Sequence, residues 1–221
     1  MATNPFTLPF ERLPATLPIF PLHNAIVMPG AQLPLNIFEP RYLNMVFDSL
    51  GADRMIGMAQ PDPASKDENQ PRVYRTGTAG RITSFSETLD GRLLVVMTGV
   101  CRFDIREEIP TTRDYRRVIP DWDRFHVDYA LSDAVSCDRG KLMELLKDYF
   151  QRKSLSTDWT VMEQMSFPVL VNVLISQLPF EVAERQALVE AVSVEDRYAK
   201  LLGLLEFEMA AARVGTDVRQ H

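Results

Sequence analysis

The sequence has few of the residues from which metal centres and nucleophilic sites are usually built. Among its 221 residues there are 2 cysteines and 3 histidines. Two cysteines are too few for a disulfide framework or a four-cysteine zinc site, and no histidine lies one helical turn from another histidine or from a cysteine. The sequence therefore predicts no metal site and no cofactor. It also favours a reducing, cytoplasmic location.

Long apolar runs and an excess of positive charge are also missing. The longest apolar runs, such as residues 93–97, span a few residues, whereas a bilayer requires roughly twenty. Residues 1–17 contain three prolines and no basic segment followed by an apolar one, so no secretory leader is expected. Lys and Arg number 24 against 30 Asp and Glu, a net charge of −6, which gives no general attraction to phosphate backbones. We expect neither a membrane nor a nucleic-acid partner.

Motifs for nucleotide and acyl chemistry are absent as well. No G-x-x-x-x-G-K-[ST] segment occurs, so no phosphate-binding loop of that kind is expected. Cys101 lies in the alternating segment TGVCRFDI, where a buried apolar role is more common than a nucleophilic one. His23 and His126 fit turn or polar loop positions better than they fit a catalytic base. The sequence predicts no catalytic residue.

The most informative segment that is present runs from Leu17 to Tyr42. Pro29-Gly30 is a turn signal between two apolar runs, which predicts two strands in a hairpin-like pair. Pro40 suits the first position of a helix, where its missing N–H is not needed. Helical spacing then predicts one apolar stripe packed on the sheet, formed by Tyr42, Met45, Val46, Ser49 and Leu50.

The segment after this helix has the pattern of a β-rich region. Residues 55–59 form a predicted strand, residues 60–71 a polar loop, and residues 73–120 mostly strands. Asp90-Gly91 between two alternating runs is a strong hairpin signal and requires a positive φ at the glycine. The glycine-rich segment at residues 77–81 resembles an RNA-binding loop, but its entry into a strand favours a β-bulge or barrel corner. Several short strands with one helix predict a closed or partly closed barrel.

The pattern becomes helical beyond about residue 131. Asp138 and Ser166 are predicted helix caps, another helix is predicted to start near Asp158, and a weak capping box opens a helix at Ser193. The expected fold class is α+β. A β-rich, barrel-like subdomain over residues 1–125 with one packed helix precedes a helical bundle over residues 126–221.

Three stretches of this sequence resemble the amino-terminal domain of the Lon protease family. They are FPL…PG…LPLNIFEPRY within residues 17–42, GTAGRITSFSETLDGRLLVVMTGVCRFDI at residues 77–105, and LPFEVAERQALVEA at residues 178–191. They are also similar to single-domain bacterial proteins made of this module alone. The resemblance implies a PUA-like barrel in the amino-terminal subdomain. Thr78 stands where relatives often have cysteine, which argues against a thiol role there.

The resemblance also implies a non-enzymatic recognition module that lacks the ATPase and peptidase parts of Lon. Its partner would be an unfolded polypeptide or another protein, and no sequence pattern specifies its oligomeric state. The implied peptide-binding residues are Phe38, Glu39, Arg41, Tyr42 and Arg81. A local ion pair at the helix start explains Glu39 and Arg41 equally well.

Two other function classes remain open at this stage. One is an enzyme that acts on a small anionic compound through Glu39, Arg41 and Arg81. The other is an RNA-binding barrel, which the acidic composition opposes.

Overall fold

The computed structural model describes residues 8–23, 25–67, 70–130 and 135–217. Within these ranges the chain forms a six-stranded mixed sheet and six α-helices, an α+β fold. In chain order the elements are β1 (Leu17–Pro21), β2 (Gln32–Ile37), α1 (Pro40–Leu50), β3 (Met55–Ala59), β4 (Thr76–Glu87), β5 (Leu93–Ile109), β6 (Arg116–Asp121), α2 (Arg139–Lys153), α3 (Trp159–Gln164), α4 (Phe167–Gln177), α5 (Val182–Glu190) and α6 (Val194–Asp217). Short 3₁₀ helices occupy Phe10–Arg12 and Asp123–Tyr129.

Strand β5 organises the sheet because its 17 residues reach three partners. Its first half pairs with β2, its second half pairs with β6, and β4 runs along most of its length, all antiparallel. β4 continues to β3, β3 pairs with β1 in parallel, and β1 pairs with β6. The pairings β5–β4–β3–β1–β6–β5 thus close a circuit of five strands, and β2 is attached outside it.

Helix α1 covers one end of this sheet, as its sequence predicts. Pro40 occupies the first turn and Gly51 follows the last residue. Tyr42, Met45 and Val46 are buried in one cluster with sheet residues that include Val95 and Met97, while Leu50 is only partly buried. The predicted apolar stripe and its packing on the sheet are therefore confirmed.

The predicted hairpin between the first two strands is wrong. Gly30 does adopt a positive φ of 81°, as a turn requires, but β1 and β2 do not pair with each other. The segment between them is drawn toward α4 instead. The Asn172 side-chain amide donates to the Pro29 carbonyl over 2.9 Å, and the Met28 amide donates to the Ser176 hydroxyl over 3.0 Å. These long-range bonds satisfy backbone groups that a local hairpin would have used.

The hairpin at Asp90-Gly91 is confirmed. It joins β4 to β5, and Gly91 has a φ of 82°. The Gly91 amide donates to the Thr88 carbonyl, and the Thr88 amide donates to the Arg92 carbonyl. Register shifts after Ala79 and after Ile82 show that the glycine-rich stretch of β4 enters a bulged strand, in agreement with the predicted bulge.

The carboxyl-terminal helices surround a separate hydrophobic core. α2, α4, α5 and α6 supply most of its buried residues, and Met28 from the amino-terminal half joins it. Asp138 caps α2 through a side-chain hydrogen bond, and the Ser193 hydroxyl accepts from the Asp196 amide, as predicted. Helix α3 begins directly after Asp158, as predicted, and the Asp158 side chain caps it. Ser166 precedes α4 but makes no capping hydrogen bond.

A buried polar cluster joins the two halves, and we call Arg102, Asp128 and Arg197 the Arg102 junction. All three side chains are fully buried. Arg102 Nη2 lies 2.7 Å from Asp128 Oδ1, and Arg102 Nη1 donates to the Val189 carbonyl. Arg197 Nη1 donates to the Val192 carbonyl over 3.1 Å. The junction therefore connects β5, the 3₁₀ helix at Asp123–Tyr129 and the α5–α6 turn, and the predicted boundary after residue 125 falls inside that 3₁₀ helix.

Candidate functional site

Two adjoining cavities run along one flank of α1. The first, about 760 Å³, lies between residues 14–18, the carboxyl-terminal part of α1 and the β5–β6 loop. The second, about 590 Å³, lies between residues 20–23, the start of α1 and the ends of β5 and β6. Both are lined by Pro110, Thr111 and Tyr115. We call the two together the α1 groove.

The β5–β6 loop is fastened to α1 where the two cavities meet. Asp48 lies 2.7 Å from Arg113 Nη2, and its second carboxylate oxygen accepts a 2.9 Å hydrogen bond from the Tyr115 hydroxyl. Burial, followed by this hydrogen bond, raises the pKa of Tyr115, so the phenol stays protonated and remains a donor. The loop thus acts as a strap that divides the α1 groove.

The second cavity carries charge of both signs. Arg41 Nε donates to Glu39 Oε2 over 3.0 Å, and the two side chains remain 40% and 44% exposed. Arg116 forms a two-point ion pair with Glu108 and also donates to the Pro71 carbonyl over 2.7 Å. Exposed pairs of this kind contribute roughly 0–1 kcal/mol to stability. They can therefore exchange partners with a ligand at little cost.

Aromatic rings lie beneath these charges. Tyr42 is buried, its ring centroid lies 4.2 Å from that of Phe20, and the Arg41 guanidinium lies 4.6 Å from the Tyr42 centroid. Burial raises the pKa of Tyr42, with the positive charge of Arg41 opposing the shift. The second cavity thus combines an apolar lining with ion pairs at its rim.

The structure brings together most, but not all, of the residues predicted to bind peptide. Glu39, Arg41 and Tyr42 line the second cavity. Phe38 directly precedes them and is 62% exposed. Arg81 lies on β4 between Met55 and Thr98 and lines neither cavity. The alternative enzyme site of Glu39, Arg41 and Arg81 therefore lacks a shared cavity.

Sequence reasoning did not identify Asp48 or the strap residues Arg113 and Tyr115. Asp48 carried a usable signal, because it lies seven residues after Arg41 and hence on the same flank of α1. The strap carried none, since its approach to α1 depends on the length and curvature of β5 and β6. These pairings become visible only in the folded chain.

The structure shows the surroundings of Cys101 and of the histidines. Cys101 is fully buried, and burial raises the pKa of its thiol, which keeps it un-ionised. The His126 ring packs 4.4 Å from the Phe10 ring, His23 lines the second cavity, and His221 lies outside the described residues. Across the described ranges, no group of three His, Cys, Asp or Glu side chains is arranged to hold a metal ion.

Among the helices of the described part, none is both long enough and apolar enough to span a bilayer.

Comparison with known proteins identifies the family and the fold. A family model described as the ATP-dependent protease La (LON) substrate-binding domain matches residues 16–206. The chain belongs to this family. Its match covers α1, the strap and the Arg102 junction.

Curated relatives of this Lon substrate-binding domain are whole proteases. The Lon protease of Rhizobium meliloti is 25% identical over 211 residues, which cover 93% of this chain and 26% of the protease. The Lon protease of Flavobacterium johnsoniae is 23% identical over 217 residues, again 26% of its length. The chain thus spans about a quarter of the length of the Lon proteases it matches.

Solved structures show the same fold. A Lon N-terminal domain protein from Xanthomonas campestris is 24% identical with a TM-score of 0.58, and 86% of this chain covers 97% of that one. The N-terminal domain of the Mycobacterium avium complex Lon protease is 16% identical with a TM-score of 0.63, and 86% of this chain covers 98% of it.

Proposed function

We propose that this chain is a recognition module that binds extended polypeptide segments in the α1 groove and performs no chemistry on them. Membership of a substrate-binding domain family supports recognition as the general role. The observation that carries the proposal for this chain is the pair of adjoining cavities that share Pro110, Thr111 and Tyr115. The ATPase and peptidase activities of Lon relatives are not part of the proposed function.

The dimensions of the groove suit a short extended segment. Helix α1 has 11 residues and is therefore roughly 16 Å long, which matches about five residues in extended conformation. Unfolded clients share extended backbone and mixed side chains rather than one sequence. A lining of prolines, aromatic rings and ion pairs of both signs offers contacts to many such segments.

Strand addition at β2 is less favourable than binding in the groove. β2 carries Pro34, which has no N–H to donate to an added strand. The Gln32 carbonyl also accepts a hydrogen bond from the Gln177 side chain of α4. These features protect the β2 edge.

Four of the predicted residues receive a role in this proposal. Tyr42 supplies an apolar wall, and Glu39 and Arg41 supply charges that can turn toward a ligand. Phe38 lines neither cavity but adds an exposed ring directly before these residues. Arg81 lies away from the groove lining, so its variant provides a matched charge-removal control.

The architecture expected from the resemblance fits this assignment. We propose that the closed circuit of five strands is the PUA-like barrel and that α2–α6 form the helical bundle behind it. The Arg102 junction, which spans the predicted boundary between residues 125 and 126, supports a single cooperative unit rather than two independent subdomains.

Fluorescence anisotropy with labelled, reduced and unfolded casein tests the proposed function. We expect saturable binding at micromolar or weaker affinity, because an extended segment loses conformational entropy on docking. Arg41→Ala and Phe38→Ala should each weaken binding about threefold to tenfold without a change in melting temperature. Arg81→Ala should bind like the wild type.

Three results would contradict the proposal. They are the absence of saturable binding by the wild type, equal weakening by Arg81→Ala and Arg41→Ala, and release of peptide fragments from casein or of phosphate from ATP by the purified chain. A gel-shift titration with single-stranded RNA at physiological salt provides the comparison for the RNA-binding alternative, and we expect no complex there.

A further inference from the structure

The end of β4 presents an unpaired strand edge. Up to Arg81, β4 lies between β3 and β5, but the bulged Thr83 and the paired residues from Ser84 to Glu87 have β5 alone beside them. All five residues of this segment are exposed. A bulge between Ile82 and Ser84 marks where the second partner is lost. We call residues 83–87 the β4 edge.

The hydrogen-bond pattern shows which backbone groups face outward. The Thr88 amide donates to the Arg92 carbonyl at the end of the β4–β5 ladder. Because bonded and non-bonded pairs alternate in an antiparallel ladder, Ser84 and Ser86 face β5, and Phe85 and Glu87 point their N–H and C=O groups away from it. Among the described residues, no backbone bond outside this ladder reaches the β4 edge.

The β2 edge and the β4 edge differ in how they are protected against pairing with another strand. β2 is protected by Pro34 and by the bond from Gln177 to the Gln32 carbonyl. The β4 edge contains neither proline nor lysine, and Phe85 at its centre is 48% exposed. An edge without such protection is suited to pair with another strand.

We propose that the β4 edge pairs with the β4 edge of a second copy of this chain, antiparallel and centred on Phe85. In that register Phe85 meets Phe85, Ser84 meets Ser86, and Thr83 meets Glu87. No like charges face each other. The segment is therefore complementary to itself, as a two-fold interface requires.

Two neighbouring registers are disfavoured, and the one centred on Ser86 replaces the ring-to-ring contact by Phe85 opposite Glu87. Pairing centred on Glu87 would place two Glu87 carboxylates directly opposite each other, which is destabilising. Pairing centred nearer the start of β4 would involve Arg81 and earlier residues, whose edge is occupied by β3. The register centred on Phe85 avoids both problems.

The interface is small and therefore weak. It joins five residues from each copy, well below the roughly 1,200 Å² that stable complexes bury. We expect a dissociation constant of roughly 100 µM, with rapid exchange between monomer and dimer.

Sedimentation equilibrium on the full chain, from about 10 µM to 1 mM, measures this association. Phe85→Lys should raise the dissociation constant at least tenfold, because it places two positive charges opposite each other. Leu94→Lys is the matched control, since Leu94 is 47% exposed on the adjacent strand and, paired with Ser86, lies on the opposite face of the sheet from Phe85. A wild type that stays monomeric to 1 mM, or equal loss in both variants, overturns the proposal.

Cysteine cross-linking tests the register. In a Cys137→Ser background, which removes the partly exposed thiol, Phe85→Cys should form a disulfide dimer with oxidised glutathione as oxidant. Thr83→Cys should not, because its two copies lie roughly 13 Å apart in this register. Equal cross-linking of both variants contradicts the register. Loss of casein binding in Phe85→Lys, with no self-association in the wild type, assigns the edge to clients and overturns the proposal.

Discussion

The Arg102 junction and the α1 groove use the same kinds of side chain for different purposes. In the junction, two arginines and one aspartate are fully buried, and the Val192 carbonyl between α5 and α6 accepts from both guanidinium groups. In the groove, the pairs Glu39–Arg41 and Glu108–Arg116 remain partly exposed. Burial therefore separates charges that hold the fold from charges that are available to a ligand.

The junction contains two arginines and one aspartate, so its stability depends on the charge of Asp128. Burial, and next the charge of Arg102, lower the pKa of Arg197 to about 10. Arginine nevertheless stays protonated near neutral pH, so Asp128 must compensate two cations. The second cavity of the groove has no comparable dependence, because Arg41 and Arg116 each pair there with a partly exposed carboxylate.

Asp128→Asn should produce the largest effect on stability. Removal of the only carboxylate in the junction leaves Arg102 and Arg197 buried without a counter-charge, at a cost of about 3–5 kcal/mol in free energy of unfolding. Urea denaturation measures this loss. Glu108→Gln in the groove is the control and should cost less than about 1 kcal/mol. Similar losses for the two variants would remove the distinction between the regions.

Met45→Ala tests the opposite side of the groove helix. Met45 is fully buried under α1, so its truncation should cost about 2–5 kcal/mol through lost transfer energy and an unfilled cavity. Arg41→Ala, on the groove flank of the same helix, should change the free energy of unfolding by less than about 1 kcal/mol. An unchanged urea midpoint for Met45→Ala would show that α1 is not anchored as the structure describes.

Gly91→Val should have a smaller effect, outside both regions. A Cβ at Gly91 meets no atom within 4 Å, so the cost comes from its φ of 82° and should be roughly 1 kcal/mol or more. Gly203→Ala is a control of opposite sign, because Gly203 lies in α6 with open space around it. That variant should stabilise the chain by about 0.5–1 kcal/mol. A melting temperature for Gly91→Val equal to that of the wild type would contradict the turn assignment.

Local signals predicted much of the fold. Pro40 and Gly51 bounded α1, Asp90-Gly91 located a hairpin, and acidic caps marked α2 and α3. Each of these depends on backbone preferences of neighbouring residues. Contacts between residues far apart in sequence were harder to predict. The predicted pairing of β1 with β2 was wrong because α4 binds the intervening segment.

The candidate site could be predicted only in part, because some of its residues meet only through long-range contacts. Glu39, Arg41 and Tyr42 are consecutive around Pro40, and a resemblance in sequence could identify them together. Tyr115 and Asp48 are separated by 67 positions and meet only through the β5–β6 loop. The Arg102 junction was missed because neither arginine nor Asp128 forms a local pattern.

Amide chemical-shift mapping tests most directly whether the groove binds clients and the junction does not. Isotope-labelled chain is titrated with unlabelled, reduced casein, and shift changes are followed residue by residue. The proposed function predicts changes concentrated at residues 38–48 and 108–116, with little change at Arg102, Asp128 and Arg197. Changes centred on α5, α6 and the junction, with none along α1, would contradict it.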